Sequence, residues 1–239
     1  MDSISVIIPT YNEELNIKMA VKTITGIVSR IVNDYELLIV NDGSADATAK
    51  ILRDLTQKDD RIKVISHPTN KGIGEAFRSG IRAASKTYIT GFPADIDFSL
   101  ETYKHLLLAR KRNYFVSSFV TNMYDREVTR QITSIVFTAM MNFIFRLKLK
   151  YYNGYFICPS GILKNMPLKS TGFTIFAEIK IRAIYDHVPF TEIPFETRLR
   201  QRGVSKALSW MTIAKTLWFL PALIGDIYLN SNYRKRYKE

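Results

Sequence analysis

Between Ser3 and about Val120 the chain alternates short β-branched runs with longer amphipathic stretches, and this alternation restricts the fold more than any other feature of the sequence. The runs are Val6-Ile7-Ile8, Leu37-Leu38-Ile39-Val40, Ile62-Lys63-Val64-Ile65, Tyr88-Ile89-Thr90 and Phe115-Val116. Strands that are apolar on both sides, separated by helices, predict an α/β fold: a mostly parallel sheet with helices on both faces. In such open sheets ligands sit beyond the carboxyl ends of the strands. The polar motifs of this sequence fall there, at Pro9 to Glu13, Asn41 to Ser44 and Pro93 to Asp97.

A chain of 239 residues suits one such domain with a C-terminal appendage. The expected division is an α/β unit over 1–206 and an amphipathic anchor with a basic tail over 207–239. Lys and Arg number 34 against 22 Asp and Glu, a formal charge of +12. That excess suits phosphates, nucleic acid or an anionic membrane. It gathers in the second half, at Arg146, Lys148 and Lys150, at Arg198, Arg200 and Arg202, and at Arg234, Lys235, Arg236 and Lys238. Nucleic acid is not the expected partner, because no binding motif is present and the aromatic residues lie in apolar stretches instead of alternating with basic ones.

Cys158 is the only cysteine, which rules out an intramolecular disulfide and leaves three scattered histidines as poor company for a zinc ion. The opening Met1-Asp2-Ser3-Ile4-Ser5-Val6-Ile7-Ile8-Pro9 lacks the basic region and cleavage site of a signal peptide and reads as a buried strand. The expected place is the cytoplasm, at a membrane face. Two segments point to that face. From Gln131 to Phe145 the apolar residues Ile132, Ile135, Val136, Ala139, Met140 and Phe143, with Leu147 beyond them, recur at helical spacing ahead of the basic Arg146 to Lys150. From Ala207 to Leu229, Trp210, Trp218, Phe219, Leu220, Leu223, Ile224 and Tyr228 are interrupted by Lys215, Pro221 and Asp226. The second segment therefore predicts an interfacial or re-entrant helix, not a spanning one.

Asp95-Ile96-Asp97 follows the run that ends near Phe92, so two carboxylates leave one strand end close together. Magnesium or manganese, a hard cation, could bridge such a pair to a diphosphate. A pattern of three residues is weak alone, and its context gives it weight. Pro9-Thr10-Tyr11-Asn12-Glu13 follows the first strand, Asn41-Asp42-Gly43-Ser44-Ala45-Asp46 the second, and Asn70-Lys71-Gly72-Ile73-Gly74-Glu75-Ala76 opens the third helix. In this order and spacing the motifs resemble the family 2 glycosyltransferases of the GT-A fold, over nearly the whole chain to Lys206. Further on stand Gly172-Phe173, Glu178 and Arg182 on one helix, Glu192-Ile193-Pro194, and Arg200-Gln201-Arg202-Gly203-Val204-Ser205-Lys206. The last of these is similar to the ending of the dolichol-phosphate mannose synthase and polyprenyl-phosphate glucosyltransferase group.

The resemblance implies roles for individual residues. Pro9, Tyr11 and Glu13 line the nucleotide pocket, Asp42 accepts from the base, and Gly72 allows close backbone approach. Asp95 and Asp97 hold the metal and phosphates, while Arg200, Ser205 and Lys206 close over the donor diphosphate. Arg130 and Ser134, one helical turn apart, match the positions that hold the acceptor's phosphate, a group that arginine's fork suits. The implied partners are a nucleotide-diphosphate sugar such as GDP-mannose or a UDP-sugar, a lipid phosphate and a membrane surface, with a membrane protein or a second copy as a further partner. Three positions depart from the group: Asn41 replaces an acid, Pro93 to Asp97 replaces the usual acidic run, and Asn153-Gly154 stands where an acid is common. Two rivals remain open. One is a transferase acting on a sugar hydroxyl, which needs a base for which Glu178 and Asp125 are the candidates. The other is a nucleotide-sugar-binding scaffold without activity.

Overall fold

A computed structural model describes residues 2–96, 99–122, 128–196 and 210–229, the side chains of 130 and 210–217 aside. The five expected strands form as β1 (Ser3–Thr10), β2 (Asp34–Asp42), β3 (Ile62–His67), β4 (Tyr88–Gly91) and β5 (Phe115–Val120). Two more join them: β6 (Phe156–Pro159) and β7 (Phe190–Phe195). The sheet runs β3-β2-β1-β4-β6-β5-β7. Only β6 is reversed, pairing antiparallel with both β4 and β5, while every other pairing is parallel. The carboxyl ends of six strands therefore share one edge.

Alternate residues of β1 explain why a continuous apolar run is needed. Ile4, Val6 and Ile8 enter one core under α1 (Ile17–Val28) and α4 (Leu100–Leu108), whereas Ile7 enters a second core. That second core lies under α3 (Ile73–Ala83) and α7 (Thr174–Tyr185). Helix α2 (Thr48–Thr56) follows β2, and the short α6 (Ser160–Lys164) follows β6. The mixed α/β architecture expected from the sequence is thus present, with helices on both faces.

A third core lies away from the sheet. It joins α5 (Val128–Phe145), α7 and α8 (Trp210–Tyr228) through Met141, Phe145, Ala177, Ile181, Leu220, Leu223 and Ile227. The apolar spacing of α5 serves two faces. Ile132, Ile135, Val136 and Phe143 are exposed, Phe143 to 87%. Met141 and Phe145 are buried in the third core, with Met140 and Leu147 packed against it. Helix α8 divides in the same way: Trp218 is 89% exposed, but Leu220, Leu223 and Ile227 are buried. Tyr228 is not at an outer interface either, since its Oη donates to the Ile144 carbonyl at 2.8 Å. Among the described residues no helix is long and apolar enough to cross a membrane.

Helix α7 is the axis between the second and third cores, and it carries three fully buried charged residues, Glu178, Lys180 and Arg182. Lys180 Nζ donates to the Tyr151 carbonyl at 3.0 Å. Burial pushes its ammonium down to about 7 from an ordinary 10.5, against a smaller opposing pull from Glu192. Between those two values the unfolded chain holds a proton that the folded chain releases. The cost to stability therefore grows as pH falls through that window and is constant below it, at up to about 1.4 kcal/mol per pH unit. Lys180→Met should unfold at higher urea than the native chain at pH 7, with an advantage that shrinks steadily toward pH 9.5. An advantage independent of pH would show that the folded chain keeps the Lys180 proton as the unfolded chain does.

Candidate active site

The order β2-β1-β4 places a topological switch point at β1, where connections depart in opposite directions and leave a crevice beyond the strand ends. Register puts Thr10 beside Asn41, and Gly91 beside Ile7. The three motifs chosen from the sequence thus meet at one edge. Pro9 closes β1 half-buried, and Tyr11 lies just beyond it, 36% exposed.

Hydrogen bonds zip the loops after β1 and β2 together. Asn12 sits in the left-handed region at φ 54°. Its amide donates to Ser44 Oγ at 3.0 Å, and its Oδ1 accepts the Ala45 amide at 2.9 Å. The Glu13 amide donates to Thr48 Oγ1 at 2.9 Å, and the Ala47 amide donates to Glu14 Oε2 at 2.9 Å. The Glu13 carboxylate accepts from Asn16 Nδ2 at 2.8 Å. Asp46 accepts from the amides of Glu14 and Thr48. Burial pushes its carboxyl up, but those bonds, with the Thr48 hydroxyl, outweigh it and hold the carboxyl below its ordinary value. Asn12, Ser44, Asp46 and Thr48 tie the two loops together in a way that single motifs do not reveal. An Asn or Ser followed by a helix start was the available signal.

Asp42, expected to face a nucleobase, is 3% exposed and largely committed within the protein. Oδ1 accepts from His67 Nδ1 at 2.6 Å and from the Lys71 amide at 2.9 Å, and Oδ2 accepts the Gly72 amide at 2.8 Å. These three bonds take three of the roughly four lone-pair sites of a carboxylate. His67 was missed in the sequence. It lies beside Asp42 in the β2–β3 register, and its Nε2 is 2.9 Å from Ser79 Oγ on α3.

Gly72 needs its glycine, but for contact with its own chain. Its φ is +94°, and a methyl group there would lie 2.5 Å from the Thr171 carbonyl oxygen. The Gly74 amide donates to that same oxygen at 2.8 Å. The close backbone approach attributed to a ligand is made by the 168–172 segment.

Asp95 stands four residues beyond β4, half-buried. Ile96, between the two aspartates, has φ +47°, a left-handed conformation that is an outlier for a β-branched side chain and typical of functional turns. Asp97 lies outside the described residues, as do Asp125, Arg200, Ser205, Lys206 and the Arg130 side chain; Ser134 is half-buried on α5. Among the described residues no three His, Cys, Asp or Glu side chains converge. A magnesium or manganese ion held at Asp95 would need diphosphate oxygens and water to complete its ligands.

Glu178, considered as a base, is fully buried and taken. It accepts Arg182 Nε at 2.9 Å and the amides of Lys169 and Ser170 at 3.0 and 2.8 Å.

The β1, β2 and β4 ends thus gather these loops, with the Asp95 carboxylate beside them, at one switch point of an open α/β sheet. Residues 5–170 match the glycosyl transferase family 2 model, and the chain belongs to that family. It is 29% identical over 212 residues to a dolichol-phosphate mannosyltransferase of Pyrococcus furiosus, covering 85% of this chain and 58% of that one. It is 34% identical over 110 residues to the uncharacterized glycosyltransferase EpsJ of Bacillus subtilis, 46% of this chain and 31% of that one. The chain thus spans less than two thirds of the length of either relative. The fold is that of glucosyl-3-phosphoglycerate synthase from Mycobacterium tuberculosis, a GT-A structure solved with Mn2+ and UDP-glucose. The TM-score is 0.67 at 20% identity, covering 94% of this chain and 79% of that one.

Proposed function

We propose that the protein is an inverting hexosyltransferase that moves a sugar from a nucleotide diphosphate to a polyprenyl or dolichyl phosphate at the cytoplasmic face of a membrane. The observation that carries this reading is the meeting of the β1, β2 and β4 motifs at one crevice, with Asp95 at its edge. Asp95 and Asp97 would hold Mg2+ or Mn2+, which when bound offsets the charge of the departing diphosphate. Pro9, Tyr11 and Glu13 line the nucleotide side, with the remaining Asp42 lone pair toward the base. Arg200, Ser205 and Lys206 follow β7, which ends at the same edge.

Similarity to the Pyrococcus mannosyltransferase over 85% of the chain supports a lipid phosphate as acceptor. So do the exposed Ile132, Ile135, Val136 and Phe143 of α5 and Trp218 of α8, an apolar surface of the kind that lies in a bilayer interface. A phosphate oxygen already ionised near pH 7 needs no strong base. It bonds to the anomeric carbon as the bond to the donor diphosphate breaks, and the protein supplies alignment. The rival reading, with a sugar hydroxyl as acceptor, is weakened because Glu178 is buried against Arg182.

Calorimetric titration with GDP, UDP and their sugar conjugates, with manganese and then with chelator, tests the pocket. Metal-dependent binding of one nucleotide is expected, and failure of all of them to bind would overturn the reading of the crevice as a nucleotide-sugar site. For the acceptor, Arg130→Ala should raise the KM for the lipid phosphate by at least about tenfold, the effect of losing a charge-assisted contact of 1.5–3 kcal/mol. Donor affinity should not move. An unchanged acceptor KM would remove Arg130 from that role.

A further inference from the structure

The segment 168–172 is gripped on both sides. From α3, Arg78 Nη1 donates to the Leu168 carbonyl at 2.8 Å and the Gly74 amide donates to the Thr171 carbonyl at 2.8 Å. From α7, the Glu178 carboxylate accepts the amides of Lys169 and Ser170. Its backbone donors and acceptors are thus tied to two different helices. The α3 side continues into the donor crevice, since Gly72 rests on Thr171 and gives its amide to Asp42.

The α7 side continues into α8. Arg182, which holds Glu178, also gives Nη2 to Asp226 Oδ2 at 2.7 Å. Asp226 Oδ1 in turn accepts Lys169 Nζ at 2.7 Å. Asp226 therefore holds the segment twice, directly through the Lys169 side chain and indirectly through Arg182 and Glu178. Arg182 and Glu178 are fully buried, and in a low-dielectric interior a fully satisfied polar network is stiff, while loss of one member disturbs its neighbours.

We infer that Asp226 is a positioning residue for the donor crevice: by docking α8 through Arg182 and Glu178 it fixes segment 168–172, and with it the Lys71–Gly72 turn that holds Asp42. The relay itself stands on the hydrogen bonds above, while its effect on donor binding rests on the reading of the crevice as a nucleotide-sugar site. If α8 meets a membrane, the same relay makes donor affinity sensitive to how α8 is seated.

Asp226→Asn in the full chain tests this, because the amide keeps the shape and one acceptor but removes the charge. Hydrogen exchange over 69–74 and 168–172 should quicken by about fivefold, and affinity for the nucleotide diphosphate that binds the native chain should fall by about fivefold. Asp226→Glu should restore part of both. Val28→Ala in α1, far from the relay in a different core, serves as the control for a general loss of stability. Native exchange rates in Asp226→Asn, or equal quickening at 69–74 in Val28→Ala, overturn the relay. Quickened exchange with unchanged nucleotide affinity overturns the link to the donor and keeps the relay. A native chain that binds no nucleotide diphosphate overturns the reading of the crevice, and exchange alone then decides the relay.

Discussion

Asp95→Asn is expected to lower turnover by two to three orders of magnitude while the protein melts within a few degrees of the native chain. The substitution is nearly isosteric, so little packing is lost at a half-buried loop position. What disappears is a negative oxygen. Magnesium and manganese bind hard anionic donors, and the neutral amide contributes far less to holding one. Removing a single group that stabilises developing transition-state charge commonly costs ~2.7–4 kcal/mol, which gives the expected range. Steady-state assay with manganese, beside a thermal melt, separates chemistry from folding. Native turnover in Asp95→Asn, or native activity that survives chelator, would end the metal reading.

Gly154→Ala is expected to have the largest effect on stability. A methyl group on Gly154 would lie 2.0 Å from the Ser118 carbonyl oxygen. That oxygen belongs to β5, whose Ser118 amide donates to the Tyr155 carbonyl at 2.8 Å. Neither backbone can retreat without opening the β5–β6 pairing, so relief must come from breaking ladder bonds. A loss of about 3 kcal/mol is expected, the upper part of the range for overpacking, and a melting point lower by roughly 6–12 °C for a chain of this size. Gly26 supplies the contrast inside the same experiment. It sits within α1 with nothing within 4 Å of an added methyl, so Gly26→Ala should stabilise by ~0.5–1 kcal/mol. Equal effects at the two sites would contradict the close contact at Gly154. An acid is common at Asn153-Gly154 in the group the sequence resembles, and the contact requires glycine at the second of these positions whatever stands at the first.

The strands that could be read from the sequence were those buried on both faces, because only there does a run such as Leu37 to Val40 stay apolar without interruption. Strands β6 and β7 escaped for different reasons. β6 has four residues, Phe156 to Pro159, too few to show a period. β7 carries Glu192 and Pro194 at the sheet's edge, where a missing amide is tolerated. For α5 the spacing gave the helix, but not which of its apolar residues pack inward, since Met141 and Phe145 lie beside the exposed stripe. The site motifs could be read by position alone: three polar clusters, each just beyond an apolar run. What no motif could show is how the clusters hold one another, since Asn12 with Ser44, Asp42 with His67, and Glu178 with segment 168–172 are partners distant in the chain or set by a turn. Asp42 shows the difference. Its place at a strand end was legible, but its hold on Lys71 and Gly72 appears only once β2 and α3 are packed.

The single reversed strand has a consequence for how such a protein can diversify. Because β6 runs against β4 and β5, its amino end stands at the edge where theirs finish, and the turn Tyr151 to Tyr155 is delivered there. That turn shares no strand with Pro9, Asp42 or Asp95. Asn153 is the exposed residue of that turn, so exchanges there can alter what meets the proposed donor side without disturbing the β1, β2 and β4 ends. On the proposed function, that position can change with the acceptor while the β1, β2 and β4 ends keep the nucleotide side constant.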